Sequence, residues 1–170
     1  MVGLIYNTTM VSEKPDSWSV MWDPKYSGEI LTFNNSRDAF GVAQYLLGYD
    51  VNSTNPDEWR AAEEKLKEQK PLIQSYVMDE VFNKMEAGEA AMAPYYAGDY
   101  LTMKQENDDL AFVYPKEGTN KFVDVMCIPS SSENKKAAEL FINYMCEPEV
   151  ALHNANYLGY LCPVTAVLSD

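Results

Sequence analysis

The regular alternation of short apolar strands with amphipathic helices is the feature that most constrains the fold of this chain. Apolar runs bounded by turn residues predict strands at 3–7, 29–33, 90–95, 110–114 and 122–129. Apolar residues at helical spacing predict helices at 36–47, 55–70, 79–87, 98–106, 133–146 and from 148 to about 159. This order favours an α/β layered domain with a largely parallel sheet.

Local signals define the limits and the type of several elements. Asn55 is followed by Pro56 and, three residues on, by Glu58, a pattern typical of a helix N-terminus. Gly48 directly follows the helix at 36–47 and is expected to end it. The segment at 122–129 is rich in apolar residues, which predicts a strand that is covered on both faces.

The charge of the chain excludes some classes of partner. Its 170 residues suffice for one domain with a hydrophobic core, and 26 acidic residues against 13 Lys and Arg give a net charge of −13. Such a surface repels phosphate backbones, which argues against nucleic-acid binding, whereas it suits a cationic ligand. No apolar run approaches the roughly 20 residues of a membrane span, and the N-terminus lacks the features of a signal peptide.

The cysteines and the histidine limit the available chemistry. Cys127, Cys146 and Cys162 are odd in number and widely spaced, so we expect unpaired thiols that are buried as small apolar side chains. His153 is the only histidine, and the paired ligands of a zinc site are absent. No glycine-rich phosphate loop is present. The many carboxylates leave an enzyme with an acid–base pair as an alternative.

Candidate binding residues follow the predicted strands, where ligands of open α/β sheets bind. Asn35 and Asp38 follow one strand, Tyr96 follows another, and Phe122 and Asp124 lie in a third segment. An acid inside an apolar strand, as predicted for Asp124, needs a partner or a solvent-lined cleft. The other residues have structural alternatives: Asp38 suits the first turn of a helix, Asn35 suits an N-cap, and Tyr96 suits a core or its rim.

Several segments, taken in order, resemble the polyamine-binding proteins of bacterial spermidine/putrescine ABC importers. The segment 17–28 resembles the family pattern S-W-x-x-L-W-x-P-x-Y-x-G, and 34–40 is similar to D-D-x-R-[DE]-x-[FV]. The segment 114–118 matches [WY]-P-x-E-G, and 123–129 matches x-D-x-x-x-I-P. The resemblance extends over essentially the whole chain but over only part of the family protein.

This resemblance implies a type II periplasmic-binding-protein fold, in which two α/β lobes on a hinge enclose the ligand. Residues 1–170 would form a single α/β domain, the C-terminal lobe, with a mixed, mainly parallel sheet and helices on both faces. The N-terminal lobe, the export signal and the last segments would be missing. The implied protein is a binding protein and not an enzyme, without cofactor or metal. It would be periplasmic or extracellular, free or anchored as a lipoprotein, and would deliver polyamine to the ABC permease.

The resemblance also implies roles for individual residues. Asp124 falls on the key ligand carboxylate of the family, and Tyr96 and Phe122 fall on the aromatic walls. Asp38 falls on a second carboxylate, whereas Asn35 stands where the family commonly has Asp, which leaves one negative charge fewer. A protein of the same fold that binds another solute, such as an amino-acid derivative, a sugar or a metal complex, therefore remains an alternative. A ligand-sensing regulatory lobe is another.

Overall fold

The computed structural model describes residues 1–168, and these residues form two compact units that divide after Lys121. The first unit contains the strands β1 (Val2–Asn7), β2 (Ile30–Phe33), β3 (Ile73–Val77), β4 (Met92–Tyr96) and β5 (Leu110–Val113). It also contains the helices α1 (Ser36–Leu47), α2 (Pro56–Gln69), α3 (Glu80–Glu86) and α4 (Ala97–Glu106). The second unit contains α5 (Lys135–Met145) and α6 (Pro148–Leu158). No helix of the described part is long and apolar enough to cross a membrane.

The five strands of the first unit form one sheet with the order β3-β2-β4-β1-β5. β2 is parallel to both β3 and β4, whereas β1 is antiparallel to its neighbours β4 and β5. Four strands therefore run in one direction and β1 runs against them. All residues of β1 and β2 are buried, and because successive side chains point to opposite faces, both faces of these strands are covered. The predicted mixed α/β sheet is confirmed, although its four neighbouring strand pairs are two parallel and two antiparallel.

The directions of the strands bring the termini of three strands to the same end of the sheet. The carboxyl ends of β2 and β4 lie there, and the antiparallel register pairs Val2, at the start of β1, with Tyr96, at the end of β4. Helix α1 begins three residues after β2, and α4 begins directly after β4. Residues that follow β2 and β4 in sequence are therefore neighbours in space.

The predicted boundary signals of α1 and α2 are confirmed. Asn35 caps α1 by accepting a hydrogen bond from the Arg37 N–H (3.0 Å), and Gly48 ends this helix at φ +75°. Asn55 caps α2 in the same way, with Pro56 at the first helical position. These ends are local properties, which is why the sequence alone predicted them.

Strand β3 was not predicted. It lies at the edge of the sheet, and its side chains alternate between partial burial and exposure until Val77. Gln74 and Ser75 interrupt the apolar pattern that a buried strand would show. An edge strand bonded to one neighbour gives only this weak signal.

Two of the sequence motifs contact each other in the first unit. The hydroxyl of Ser17 donates to Glu117 Oε1, and the Trp18 backbone N–H donates to Glu117 Oε2 at 3.2 Å. The Trp18 indole N–H donates to the carbonyl of Gly118 at 2.9 Å, where the backbone turns with φ +98°. One carboxylate thus fixes the start of the 3-10 helix Trp18–Trp22 to the segment that follows β5.

The segment at 122–129, predicted as a doubly covered strand, forms no strand. The side chains of Val123, Val125 and Met126 are 71%, 79% and 52% exposed. A covered strand needs a backbone ladder on its edges and a layer on each face. The described residues of the second unit provide helices only, so they supply no ladder.

The expectation for the cysteines is half right. All three are free, but Cys127 and Cys146 are exposed and Cys162 is partly exposed, so the predicted burial is wrong. All three lie in the second unit, where two helices and their connections offer too little chain to enclose an apolar core. An apolar sequence context indicates burial only where enough neighbouring chain is present to cover it.

Candidate functional site

Asp38 is the centre of a cluster of polar side chains at the end of the sheet where β2 and β4 have their carboxyl ends. It lies in the first turn of α1 and is only 9% exposed. Its position follows from the sequence, because β2 ends at Phe33 and Asn35 caps the helix three residues before Asp38. A carboxylate in a first helical turn is favoured by the helix dipole, which helps to explain why it remains at this site.

The Asp38 carboxylate accepts hydrogen bonds from three neutral side chains. Its Oδ2 accepts from the Asn35 amide at 2.9 Å and from the Tyr96 hydroxyl at 2.7 Å. Its Oδ1 accepts from the Asn120 amide at 2.6 Å. No Lys, Arg or His within residues 1–168 forms an ion pair with Asp38. The cluster therefore holds a buried negative charge with hydrogen-bond partners but without a countercharge, an arrangement that a bound cation would complete.

Tyr96 contributes both a donor and an aromatic surface. Its ring lies 5.6 Å from that of Phe33 and 4.8 Å from that of Tyr95, measured between centroids. Burial and then the hydrogen bond to Asp38 raise the pKa of the Tyr96 hydroxyl well above its usual value, with a smaller opposing effect from Asn35. The hydroxyl accordingly stays protonated and continues to donate to Asp38 at physiological pH.

The surroundings of Tyr95 add further negative charge to this region. Burial, followed by smaller effects of the carboxylates of Asp99, Asp79 and Glu80 in that order, raises the pKa of Tyr95 to about 12. These acids lie at the starts of α3 and α4, as Asp38 lies at the start of α1. Acids at helix starts have a structural explanation in the helix dipole, but together they give this region a potential that attracts cations.

A cavity of about 480 Å³ adjoins the cluster. Asn35 and Phe33 line this cavity and also belong to the Asp38 cluster or pack on it. The side chains of Phe40 and Tyr76 add aromatic surface to the wall. Asp38 itself is not among the residues that line this cavity, so the cavity offers apolar and aromatic surface next to the cluster rather than around the carboxylate.

The structure brings together three of the five predicted site residues, Asp38, Asn35 and Tyr96. Phe122 and Asp124 belong to the second unit, where the Phe122 ring lies 6.4 Å from that of Tyr160. Asp124 is exposed, so the argument that it lies in a buried strand is wrong. Its role in binding, and that of Phe122, stay predictions from the family resemblance.

Asn120 is a residue of the cluster that the sequence did not reveal. It lies between the two matched motifs at 114–118 and 123–129, in a stretch without any pattern of its own. Its approach to Asp38 is fixed by neighbours, because the Thr119 hydroxyl donates to the Val2 carbonyl at 2.7 Å. In the described part of the chain, no group of three or more His, Cys, Asp or Glu side chains is placed to hold a metal ion.

Comparisons with known proteins identify the family of the chain. The chain matches the family of bacterial extracellular solute-binding proteins over residues 1–170. It is 33% identical over 147 residues to the spermidine/putrescine-binding periplasmic protein of Escherichia coli, covering 86% of this chain and 42% of that protein. It is 26% identical over 176 residues to the putrescine/cadaverine-binding protein of Pseudomonas aeruginosa, and this match covers 96% of this chain and 50% of that protein.

A solved structure shows the same fold. The spermidine/putrescine ABC transporter substrate-binding protein PotD of Streptococcus pneumoniae is 35% identical and superposes with a TM-score of 0.83. That match covers 98% of this chain and 51% of the other. The chain therefore spans about half the length of the relatives that it matches. The periplasmic-binding-protein fold and the similarity to polyamine-binding proteins expected from the motifs are confirmed.

Proposed function

The chain belongs to the family of bacterial extracellular solute-binding proteins, and on that premise we propose that it is part of the polyamine-binding component of an ABC importer. Its partners would be a polyamine such as spermidine or putrescine, the remaining lobe of the same protein and the permease. The place of action would be the periplasm or the outer surface of the cytoplasmic membrane. The task is capture and delivery, since members of this family bind solutes rather than transform them.

The observation that carries this proposal is the Asp38 carboxylate, which is buried, held by three neutral donors and without a countercharge. A polyamine is a flexible methylene chain with ammonium groups at fixed spacing. Its recognition needs carboxylates at the charged positions and aromatic walls along the methylenes. Tyr96 contacts Asp38 through its hydroxyl, and the ring of Phe33 packs against that of Tyr96. A ring face adds about 0.5–2 kcal/mol of cation–π attraction.

Two further binding residues come from the family resemblance alone. Asp124 would bind another ammonium group, and Phe122 would form an aromatic wall, as the family resemblance implies. The relatives support this class of ligand, since one is a spermidine/putrescine-binding protein and another a putrescine/cadaverine-binding protein. A ligand held by two lobes favours the closed form, because only that form completes the site, and the permease would recognise the closed form.

One observation favours a second candidate, which is a binding protein for a cationic solute other than a polyamine. Asn35 stands where the family commonly has Asp, and its amide donates to Asp38 instead of adding a second charge. A site with fewer charges suits a ligand with fewer ammonium groups. The ligand panel in the test therefore includes a monoamine of similar length.

Thermal unfolding of the full-length natural protein with a panel of amines tests the proposal. We expect spermidine or putrescine to stabilise the protein by about 2.7 kcal/mol at a ligand concentration of 100 times Kd. Glucose and glutamate serve as uncharged and acidic controls and should leave the unfolding temperature unchanged. Stabilisation by the monoamine but not by the polyamines would favour the second candidate. The absence of any shift with every amine would contradict both.

A further inference from the structure

The hydrogen bonds around Asp38 use its two oxygens unequally. A carboxylate has about four acceptor positions, two on each oxygen. Both positions on Oδ2 are taken, by Asn35 and by Tyr96. Within the described residues, Oδ1 accepts a single hydrogen bond, from Asn120. One acceptor position therefore remains, and it is on Oδ1.

This inequality distinguishes two kinds of organic cation. A guanidinium group binds a carboxylate best through two parallel N–H groups, which need a free acceptor position on each oxygen. An ammonium group is a compact charge and needs only one. We propose that Asn35, Tyr96 and Asn120 make the Asp38 carboxylate selective for an ammonium group against a guanidinium group. The inference rests on the proposed function and concerns the discrimination that this site makes among cations.

Both donors on Oδ2 are held by other contacts and cannot easily give way to a ligand. The Asn35 side chain also caps α1, since its oxygen accepts from the Arg37 N–H, and a turned amide would lose this bond. The Tyr96 ring is packed against Phe33 and Tyr95, which fixes the direction of its hydroxyl. A guanidinium group that displaced either donor would leave a partly buried polar group without its partner.

Asn120 plays a different part, because it binds the other oxygen. The segment that carries it is fixed by the contacts of Glu117 with Trp18 and of Thr119 with Val2. Removal of its amide would free a second position on Oδ1 but none on Oδ2. Loss of the Tyr96 hydroxyl, in contrast, would free a position on Oδ2 and allow a two-point contact. The two substitutions therefore predict different changes in selectivity at the same carboxylate.

The test compares putrescine with 1,4-diguanidinobutane, in which guanidinium groups replace both ammonium groups, so that either end presents a guanidinium group. Isothermal titration of the full-length protein should show that the diguanidine binds at least about tenfold more weakly. In Tyr96→Phe the ratio of the two dissociation constants should fall by about tenfold, and in Asn120→Ala it should change by less than about twofold. Asn35→Ser, which keeps an N-cap and removes the other donor, should act like Tyr96→Phe.

Each outcome is decisive. Equal binding of the two ligands by the wild-type protein would overturn the inference while leaving the proposed function intact. An unchanged ratio in both Tyr96→Phe and Asn35→Ser, with folding confirmed by circular dichroism, would overturn it as well. Two variants guard against the case in which one fails to fold. The absence of binding of either ligand to the wild-type protein would refute the proposed function itself, and the inference with it.

Discussion

Replacement of Asp38 by Asn removes the charge at the centre of the site and leaves the shape almost unchanged. The new side chain would keep one oxygen and could turn it towards Asn35 and Tyr96, which both donate to Oδ2. The new amide would then face Asn120, whose own amide can rotate to present its oxygen instead. The hydrogen-bond network is therefore preserved, and the loss of charge is the main effect.

The size of the effect follows from the kind of contact that is lost. A hydrogen bond to a charged group contributes about 1.5–3 kcal/mol, against about 0.5–1.5 kcal/mol for a neutral one. In Asp38→Asn the ammonium group would lose the charge-assisted contact on Oδ1. We therefore expect polyamine affinity to fall by roughly 10- to 150-fold. The free energy of unfolding without ligand should change by less than about 1 kcal/mol, because relief of an unpaired buried charge offsets the lost helix-dipole interaction.

Isothermal titration of spermidine and putrescine into the full-length protein measures this change. Asp57→Asn is a matched control, since Asp57 also lies in the first turn of a helix capped by an Asn. Its side chain is 83% exposed and forms an ion pair with Arg60. The control should keep wild-type affinity. Unchanged affinity in Asp38→Asn, or an equal loss in both variants, would refute the assignment of Asp38 as a cation site.

Three further predictions concern other parts of the molecule. Asp124→Asn in the full-length protein should weaken polyamine binding by about 2–4 kcal/mol in the same titration, and unchanged affinity would remove Asp124 from the site. The pKa of Tyr95 is raised from about 10 to about 12 in the folded protein. The free energy of unfolding should therefore keep its full value below about pH 10 and fall as the pH rises towards 12. Unfolding curves at alkaline pH should show this loss of stability, and Tyr95→Phe should reduce it. Identical curves for the wild-type protein and Tyr95→Phe would show that the loss does not come from Tyr95. Glu117→Ala should lower the free energy of unfolding by about 1–3 kcal/mol in urea titrations, and a loss below about 0.5 kcal/mol would show that its contacts with Ser17 and Trp18 contribute little.

Elements whose limits depend on local chemistry were predictable from the sequence. Helix α1 occupies Ser36–Leu47 as predicted, because the Asn35 cap and Gly48 are signals within the helix's own sequence. Strand β3 escaped prediction because it is a half-exposed edge strand with Gln74 and Ser75 in its middle. The segment at 122–129 was wrongly predicted as a strand, since an apolar run does not reveal whether a neighbouring strand is available.

The candidate site was predictable in part. The sequence predicted that Asp38 and Tyr96 each follow a strand, and the structure places their side chains in direct contact. The sequence predicted Asn35 as an N-cap, and the family resemblance implied that a negative charge is missing there, but neither predicted its contact with Asp38. The structure shows that its amide becomes a donor to Asp38. Asn120 lies 82 residues from Asp38 in the sequence, and no local pattern reports a contact over such a distance.

A crystal structure of the full-length protein with bound spermidine tests the central claim most directly. We expect an ammonium nitrogen within about 3 Å of Asp38 Oδ1, the oxygen with the remaining acceptor position, while Asn35 and Tyr96 keep their bonds to Oδ2. The aromatic ring of Tyr96 should lie beside the bound chain. A spermidine molecule that binds elsewhere, with no ligand nitrogen within about 4 Å of Asp38, would contradict the account.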